Sequence, residues 1–222
     1  MSVLQSESAG TFSLRDHNRA EKRHRIREAA RDVFCTRGYV DATTREIAAK
    51  ARIANGTLFR YAADKRELLM MIVNDDLDAL HATTRNAARQ KRPRSLRARI
   101  LDYYRPRYEY FARYPLLSRP FVRESFNFMA VKNAEVGPEA RRNRERRKEV
   151  ISDLMGIIEA EREPRSSSPS LELAANFVHA IYLSACREWL ESTAPDARVG
   201  LEDFDSLLKI AMLGLDNSGK KS

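Results

Sequence analysis

The stretch Thr43-Thr44-Arg45-Glu46-Ile47-Ala48-Ala49-Lys50-Ala51-Arg52-Ile53-Ala54-Asn55-Gly56-Thr57-Leu58-Phe59-Arg60-Tyr61 decides how this chain is read. Thr43 stands three residues before Glu46, the spacing of a capping box, in which each residue's side chain satisfies an orphan backbone N–H of the other. A helix therefore opens at Thr44, and Ile47, Ala48 and Ala51 give it a small apolar face. It breaks from Arg52 to Ala54. Asn55 to Tyr61 then reads as a short helix that only packing can hold, because isolated helices of this length are unstable. Two short helices across a tight turn, the second opening on small and polar residues, form the helix-turn-helix pattern.

Upstream of it, Ile26, Ala29, Ala30, Val33 and Phe34 recur at the spacing of one helix face, with basic residues over the rest. Gly38 follows Thr36-Arg37 and suits a helix end that needs a positive φ. The Ser-rich N-terminus has no period and reads as a flexible arm. Downstream, Asp64 is a candidate cap for a long helix through Leu68, Leu69, Ile72, Val73, Leu77 and Leu80. The expected organisation is an arm at 1–18, a three-helix DNA-binding domain at 19–66 and a helical body at 67–222.

The body is helical in pattern throughout. Pro93 ends one helix, Pro106 is expected to kink the next, and Pro115 and Pro120 are expected to bracket a turn. Pro138 opens a charged helix through Arg141–Lys148, whose basic run reads as a solvated face. Residues 164–170, with three consecutive serines, read as a loop. Two apolar helices close the chain. No alternating strand pattern occurs, so the fold class expected is all-α.

Composition narrows the function classes. Forty Lys and Arg against 31 Asp and Glu give 222 residues a net charge of +9, which permits a polyanionic partner. Fourteen basic and nine acidic residues fall within 1–68, so this smaller part holds over half of the excess. Two cysteines, Cys35 and Cys186, exclude a disulfide scaffold and a four-cysteine metal site; both read as core. No stretch suits a membrane span and no secretory signal opens the sequence, so the expected location is the cytoplasm. No phosphate-binding glycine loop, zinc spacing or nucleophile–base set is found, and neither enzymatic activity, a metal nor a cofactor is expected.

A helix entering the major groove by its N-terminal end needs small or polar residues there, and Asn55, Gly56 and Thr57 answer that. Thr44, Phe59, Tyr61 and Lys65 are placed to meet the sugar-phosphate backbone. Arg45, Asn55 and Arg60 suit base edges. Arg15, Arg19, Lys22, Arg23 and Arg25 could add contacts from the first helix and arm. Thr44-Arg45-Glu46-Ile47-Ala48, Ala51, Ile53, Gly56-Thr57-Leu58-Phe59, Tyr61, Asp64-Lys65 and Leu68-Leu69, with Ala29-Ala30, Val33-Phe34, Gly38-Tyr39 and Ala42-Thr43 before them, resemble the tetracycline-repressor (TetR) family. The chain departs from that family's pattern at Arg52 (usually Gly), Ala54 (usually a capping Ser) and Ala62 (usually aromatic). The resemblance implies an N-terminal helix-turn-helix head, a C-terminal helical ligand-binding and dimerisation domain, a homodimer made largely by the last two helices, and repression of an operator relieved by a small molecule.

On this reading the partners are double-stranded operator DNA, a second copy of the chain and a largely apolar effector. Tyr103, Tyr104, Tyr108, Phe121, Phe126, Phe128 and Trp189 are the candidate pocket aromatics, with His179 as a polar handle. Val178, Tyr182, Ala185 and Cys186, then Phe204, Leu208, Ala211 and Leu215, are the candidate dimer contacts. An architectural nucleic-acid binder is the rival reading. It would bind any duplex alike, whereas an operator reader should prefer its site by roughly 10³ or more. A helical enzyme would need a catalytic set that the sequence does not display. An activator would look the same as a repressor.

Overall fold

The computed structural model describes residues 14–89, 95–130, 137–161 and 170–216, with the side chains of 86–89, 127–130 and 214–216 excepted. The described residues form α1 (Leu14–Asp41), α2 (Thr44–Lys50), α3 (Asn55–Leu58), α4 (Lys65–Arg89), α5 (Leu96–Arg113), α6 (Pro115–Ala130), α7 (Pro138–Glu159), α8 (Leu171–Leu190) and α9 (Ala197–Asp216). No strand occurs among them. The fold is all-α, with an N-terminal helix-turn-helix unit and a helical body.

Local chemistry sets the ends. Gly38 breaks α1 at φ 78°, ψ 164°, a conformation essentially closed to other residues. Thr43 and Glu46 form the expected capping box: Glu46 N–H donates to Thr43 Oγ1 at 3.2 Å, and Thr43 N–H donates to Glu46 Oε2 at 3.1 Å. Asp64 Oδ1 accepts from Glu67 N–H at 2.9 Å at the start of α4. Ser95 and Ser170 cap α5 and α8 in the same way.

Several expectations are corrected. Residues 14–18 are helical, so α1 begins inside the stretch read as an arm; the rest of that arm lies outside the described residues. Pro115 and Pro120 do not bracket a turn. Pro115 opens α6, where its missing N–H costs nothing, and Pro120 lies within the same helix. Pro106 sits inside α5, a place compatible with the expected kink. Regular α-helix ends at Leu58, and Phe59 to Tyr61 continue as a turn. Pro93 and most of the serine-rich loop lie outside the described residues.

In the head Ile26, Ala30, Phe34, Ile47, Leu58 and Leu68 are fully buried, in a core continuous with that of the body. Each large apolar side chain so buried is worth about 1.5–3 kcal/mol relative to exposure. Helix α4 belongs to both parts, packing on α1 and, more extensively, on α7. In the body α5 packs on α9, and α8 lies against α7 and α9. The core between them is aromatic: Tyr104 stacks on Tyr182 at 4.0 Å between centroids and meets Phe204 edge-on at 5.4 Å, while Tyr108 lies 4.9 Å from Trp189.

That core takes up most of the candidate dimer residues. Val178, Tyr182, Ala185 and Cys186 of α8, and Phe204 and Leu208 of α9, are buried within the monomer. Ala211 is half-buried, and the side chain of Leu215 lies outside the described residues. The strongest apolar stripe of a helix is the one it turns to its own core, and that is the stripe periodicity finds. The exposed apolar residues of these helices lie elsewhere: Leu173 and Phe177 on α8, and Leu207, Ile210 and Leu213 on α9.

Candidate nucleic-acid interface and interior cavity

The capping box starts α2 with Thr44 half-buried and Arg45 exposed. Ala51 ends it, and Arg52 takes the turn at φ 55°. This is the left-handed region that favours glycine, so Arg52 stores strain in order to make the corner. Ala54 then precedes α3 without a side-chain cap. Asn55, Gly56, Phe59 and Arg60 are exposed, while Thr57 and Tyr61 are half-buried. Leu58, fully buried between them, fixes which side of α3 faces the core.

Lys65 differs from its expected part. Its Nζ donates to Val40 O at 2.8 Å and Ala42 O at 3.1 Å, and lies 4.8 Å from the Tyr39 ring centroid. It fastens the corner between α1 and α2, and of an ammonium's three N–H bonds one is left over. Arg23 is likewise committed: its guanidinium holds Asp75 at 2.8 Å and Glu139 at 3.3 Å. Sequence spacing could not show this, since the partners lie 52 and 116 residues away.

Those contacts belong to a network between head and body. Asp75 of α4 also takes Arg142 of α7 at 2.6 Å. Burial works against the charge on Asp75, but hydrogen bonds from Arg23 and Arg142 outweigh it and hold the carboxyl below its ordinary range. Arg31 of α1 pairs with Asp76 at 2.7 Å, which also accepts from Tyr110 Oη of α5 at 2.6 Å. Glu67 of α4 is buried and accepts from Glu139 N–H at 3.1 Å, capping α7 from outside.

A cavity of about 670 Å³ opens among α4 to α8. Its walls are largely apolar, with Leu77, Phe111, Phe121, Ile151, Met155 and Leu183 among them. Of the candidate pocket residues, Phe121 and His179 line it. His179 shares a 2.9 Å hydrogen bond between Nδ1 and Tyr104 Oη, and burial lowers its pKa to about 3, so the ring is neutral. Tyr103, Tyr104, Tyr108 and Trp189 do not line it; they pack against their neighbours in the body. Phe126 lines a second recess, beside the end of α1, and the side chain of Phe128 lies outside the described residues. Tyr182 and Cys186, the candidate dimer contacts of α8, also line the cavity.

The run Arg141–Lys148 is not simply a solvated face. Arg144, Arg146, Arg147 and Lys148 all reach the cavity wall. Arg146 is buried, donating to Asp78 Oδ1 at 2.5 Å and Asn74 Oδ1 at 2.7 Å. Helical spacing could have suggested this, because positions three and four apart share a face. No helix among the described residues is long and apolar enough to cross a membrane.

A helix-turn-helix head on an all-helical body with an interior cavity is the build of a DNA-binding transcriptional regulator. Residues 26–70 match the family of bacterial regulatory proteins, tetR family. That match covers the helix-turn-helix head and the start of α4, so it is the head that is similar to the TetR regulators. The HTH-type transcriptional regulator HbdR of Aromatoleum sp. (strain CIB) is 34% identical over 58 residues, or 26% of this chain. That match spans only 25% of the relative's own length. Thermus thermophilus FadR, a TetR-family transcriptional repressor solved with lauroyl-CoA, is similar at a TM-score of 0.64 and 24% identity, over 86% of this chain and 93% of that one. Bacillus subtilis FadR, solved with stearoyl-CoA, has a TM-score of 0.59 at 16% identity, over 82% and 97%. At such identities the likeness is one of fold.

Proposed function

We propose that the chain is a homodimeric transcriptional repressor that reads a near-palindromic operator and releases it on binding a small amphiphile. The observation that carries this is the corner from Thr43 to Tyr61, capped, turned through Arg52 and leaving Arg45, Asn55, Gly56, Phe59 and Arg60 exposed on one unit. In this reading residues 19–66 bind DNA, with Thr44, Thr57, Tyr61 and the remaining N–H of Lys65 on phosphates. Residues 67–222 bind the effector and the second copy. The dimer contact falls on Leu173, Phe177, Leu207, Ile210 and Leu213, the exposed apolar residues of the last two helices. A two-fold axis there would set two heads on one face of the duplex.

The effector of this proposal has an apolar body and an anionic group. Apolar walls and basic residues beside them support it, and the acyl-CoA ligands of the two FadR proteins are molecules of that kind. A ligand that displaces α7 acts on Arg142, and through Asp75 on Arg23 of the head. Coupling on the order of 1–3 kcal/mol suffices to release DNA.

The test is binding to the upstream intergenic DNA against a scrambled duplex at physiological salt, with and without lauroyl-CoA. A preference of roughly 10³ or more, lost on adding the ligand, is the expected result. Equal, salt-sensitive binding to both duplexes would instead favour the architectural reading.

A further inference from the structure

One cation in the cavity wall has no counter-charge. Arg107 of α5 is 4% exposed. Its Nη1 donates to Tyr103 O at 3.3 Å, and its guanidinium carbon lies 4.9 and 5.5 Å from the ring centroids of Tyr103 and Tyr104. Its Nη2 is buried without a hydrogen-bond partner. Among the described residues no carboxylate pairs with it. Its neighbours differ: Arg146 is held by Asp78, and Arg142 by Asp75 and Glu139. His179 faces the same space as a neutral ring. An unpaired guanidinium held away from water carries a large desolvation penalty, and an anion delivered into the cavity would remove it.

The donor also limits what that anion can be. A single unmet guanidinium nitrogen among aromatic rings and apolar walls suits a compact monoanion. A phosphate dianion needs several donors, and those lie with the exposed Arg147 and Lys148 of α7. We propose that the cavity binds an apolar molecule bearing a carboxylate, and that the carboxylate is seated on Arg107 Nη2. This rests on the cavity being the effector site, and it narrows the effector from any anionic amphiphile to a free carboxylic acid. Arg107 is then a specificity-determining residue rather than a structural one.

The experiment compares dodecanoate, dodecan-1-ol and lauroyl-CoA on the full-length protein by calorimetry, for the natural chain and for Arg107→Met and Arg107→Lys. The natural chain is expected to bind dodecanoate at least ~10-fold more tightly than the alcohol, in line with a hydrogen bond to a charged group. Arg107→Met should bind the two within about two-fold and, without ligand, should melt at a higher temperature, because a methionine of similar length buries no charge. Arg107→Lys keeps the charge and should keep part of the preference, which guards against a fault in the methionine variant. Equal binding of acid and alcohol by the natural chain overturns the proposal, as does a preference that survives Arg107→Met. If lauroyl-CoA binds and releases DNA while dodecanoate gains nothing from Arg107, the effector reading stands and this narrower one falls. If none of the three binds, both fall together.

Discussion

At the scale of single residues, two positions carry costs that the rest of the fold sustains. Arg52 makes the helix-turn-helix corner at a positive φ where glycine would be unstrained. Arg52→Gly should stabilise the chain by about 0.5–1 kcal/mol, the relief of strain being partly offset by the extra freedom glycine gains on unfolding. Chemical denaturation would measure this, and a destabilised variant would mean that the Arg52 side chain is doing something the backbone angle does not reveal. Glu67 is the second position. Burial raises its pKa, against the hydrogen bonds from Glu139 and Ala140 N–H that favour its charged form. A carboxyl raised in this way favours the folded state fully below its unfolded pKa, and that contribution is lost as pH rises through the folded value. Glu67→Gln should therefore melt above the natural chain at pH 7, with the advantage shrinking at pH 4. An advantage independent of pH would remove the ionisation of Glu67 as its cause.

At the scale of elements, local signals were legible where the chemistry is local. The capping box at Thr43 and Glu46, the break at Gly38 and the cap at Asp64 all involve partners within four residues, so spacing alone reveals them. Pro120 of α6 misled because packing can hold a helix through a missing hydrogen bond, and propensity does not register packing. The contacts between α1, α4 and α7 were invisible for the opposite reason. Arg23, Asp75 and Arg142 are far apart in sequence, and their charges read as ordinary surface. If these residues act as one unit, Asp75→Ala and Arg142→Ala should be non-additive, with an interaction term of about 0.5–3 kcal/mol in urea denaturation. Additivity to within about 0.3 kcal/mol would mean that the two side chains are energetically independent. On the proposed function, loss of this link should weaken ligand-driven DNA release before it weakens folding.

At the scale of the whole molecule, the exposed apolar residues of α8 and α9 are where the proposed dimer is to be tested. Ile210 is 68% exposed and Leu213 63%, on a helix whose other face is buried in the body. If the proposed dimer forms through this face, Ile210→Glu should leave a monomer in analytical ultracentrifugation where the natural chain sediments as a dimer, with helical content unchanged. Operator affinity should fall by about 10² or more, because one head then binds without the second. An unchanged dimer mass would move the contact to another surface. Inside the body, Tyr104, Tyr182 and Phe204 stack into a core, and the cavity opens beside it with Tyr182 in its wall.

The sequence by itself determined the all-helical class, the helix-turn-helix head and its family. Each of these rests on spacing along one or two helical turns, where side chain and backbone partner are neighbours in the chain. Of the residues it singled out for DNA contact, Arg45, Asn55, Gly56, Phe59 and Arg60 are exposed. Only the tertiary structure decided that Lys65 and Arg23 are already engaged, that the strongest stripes of α8 and α9 face inward, and that Arg107 is buried in a cavity wall without a counter-charge. Periodicity says that a helix has an apolar face, but which surface that face meets, and which charge is left unmatched, depends on elements brought together from distant parts of the chain.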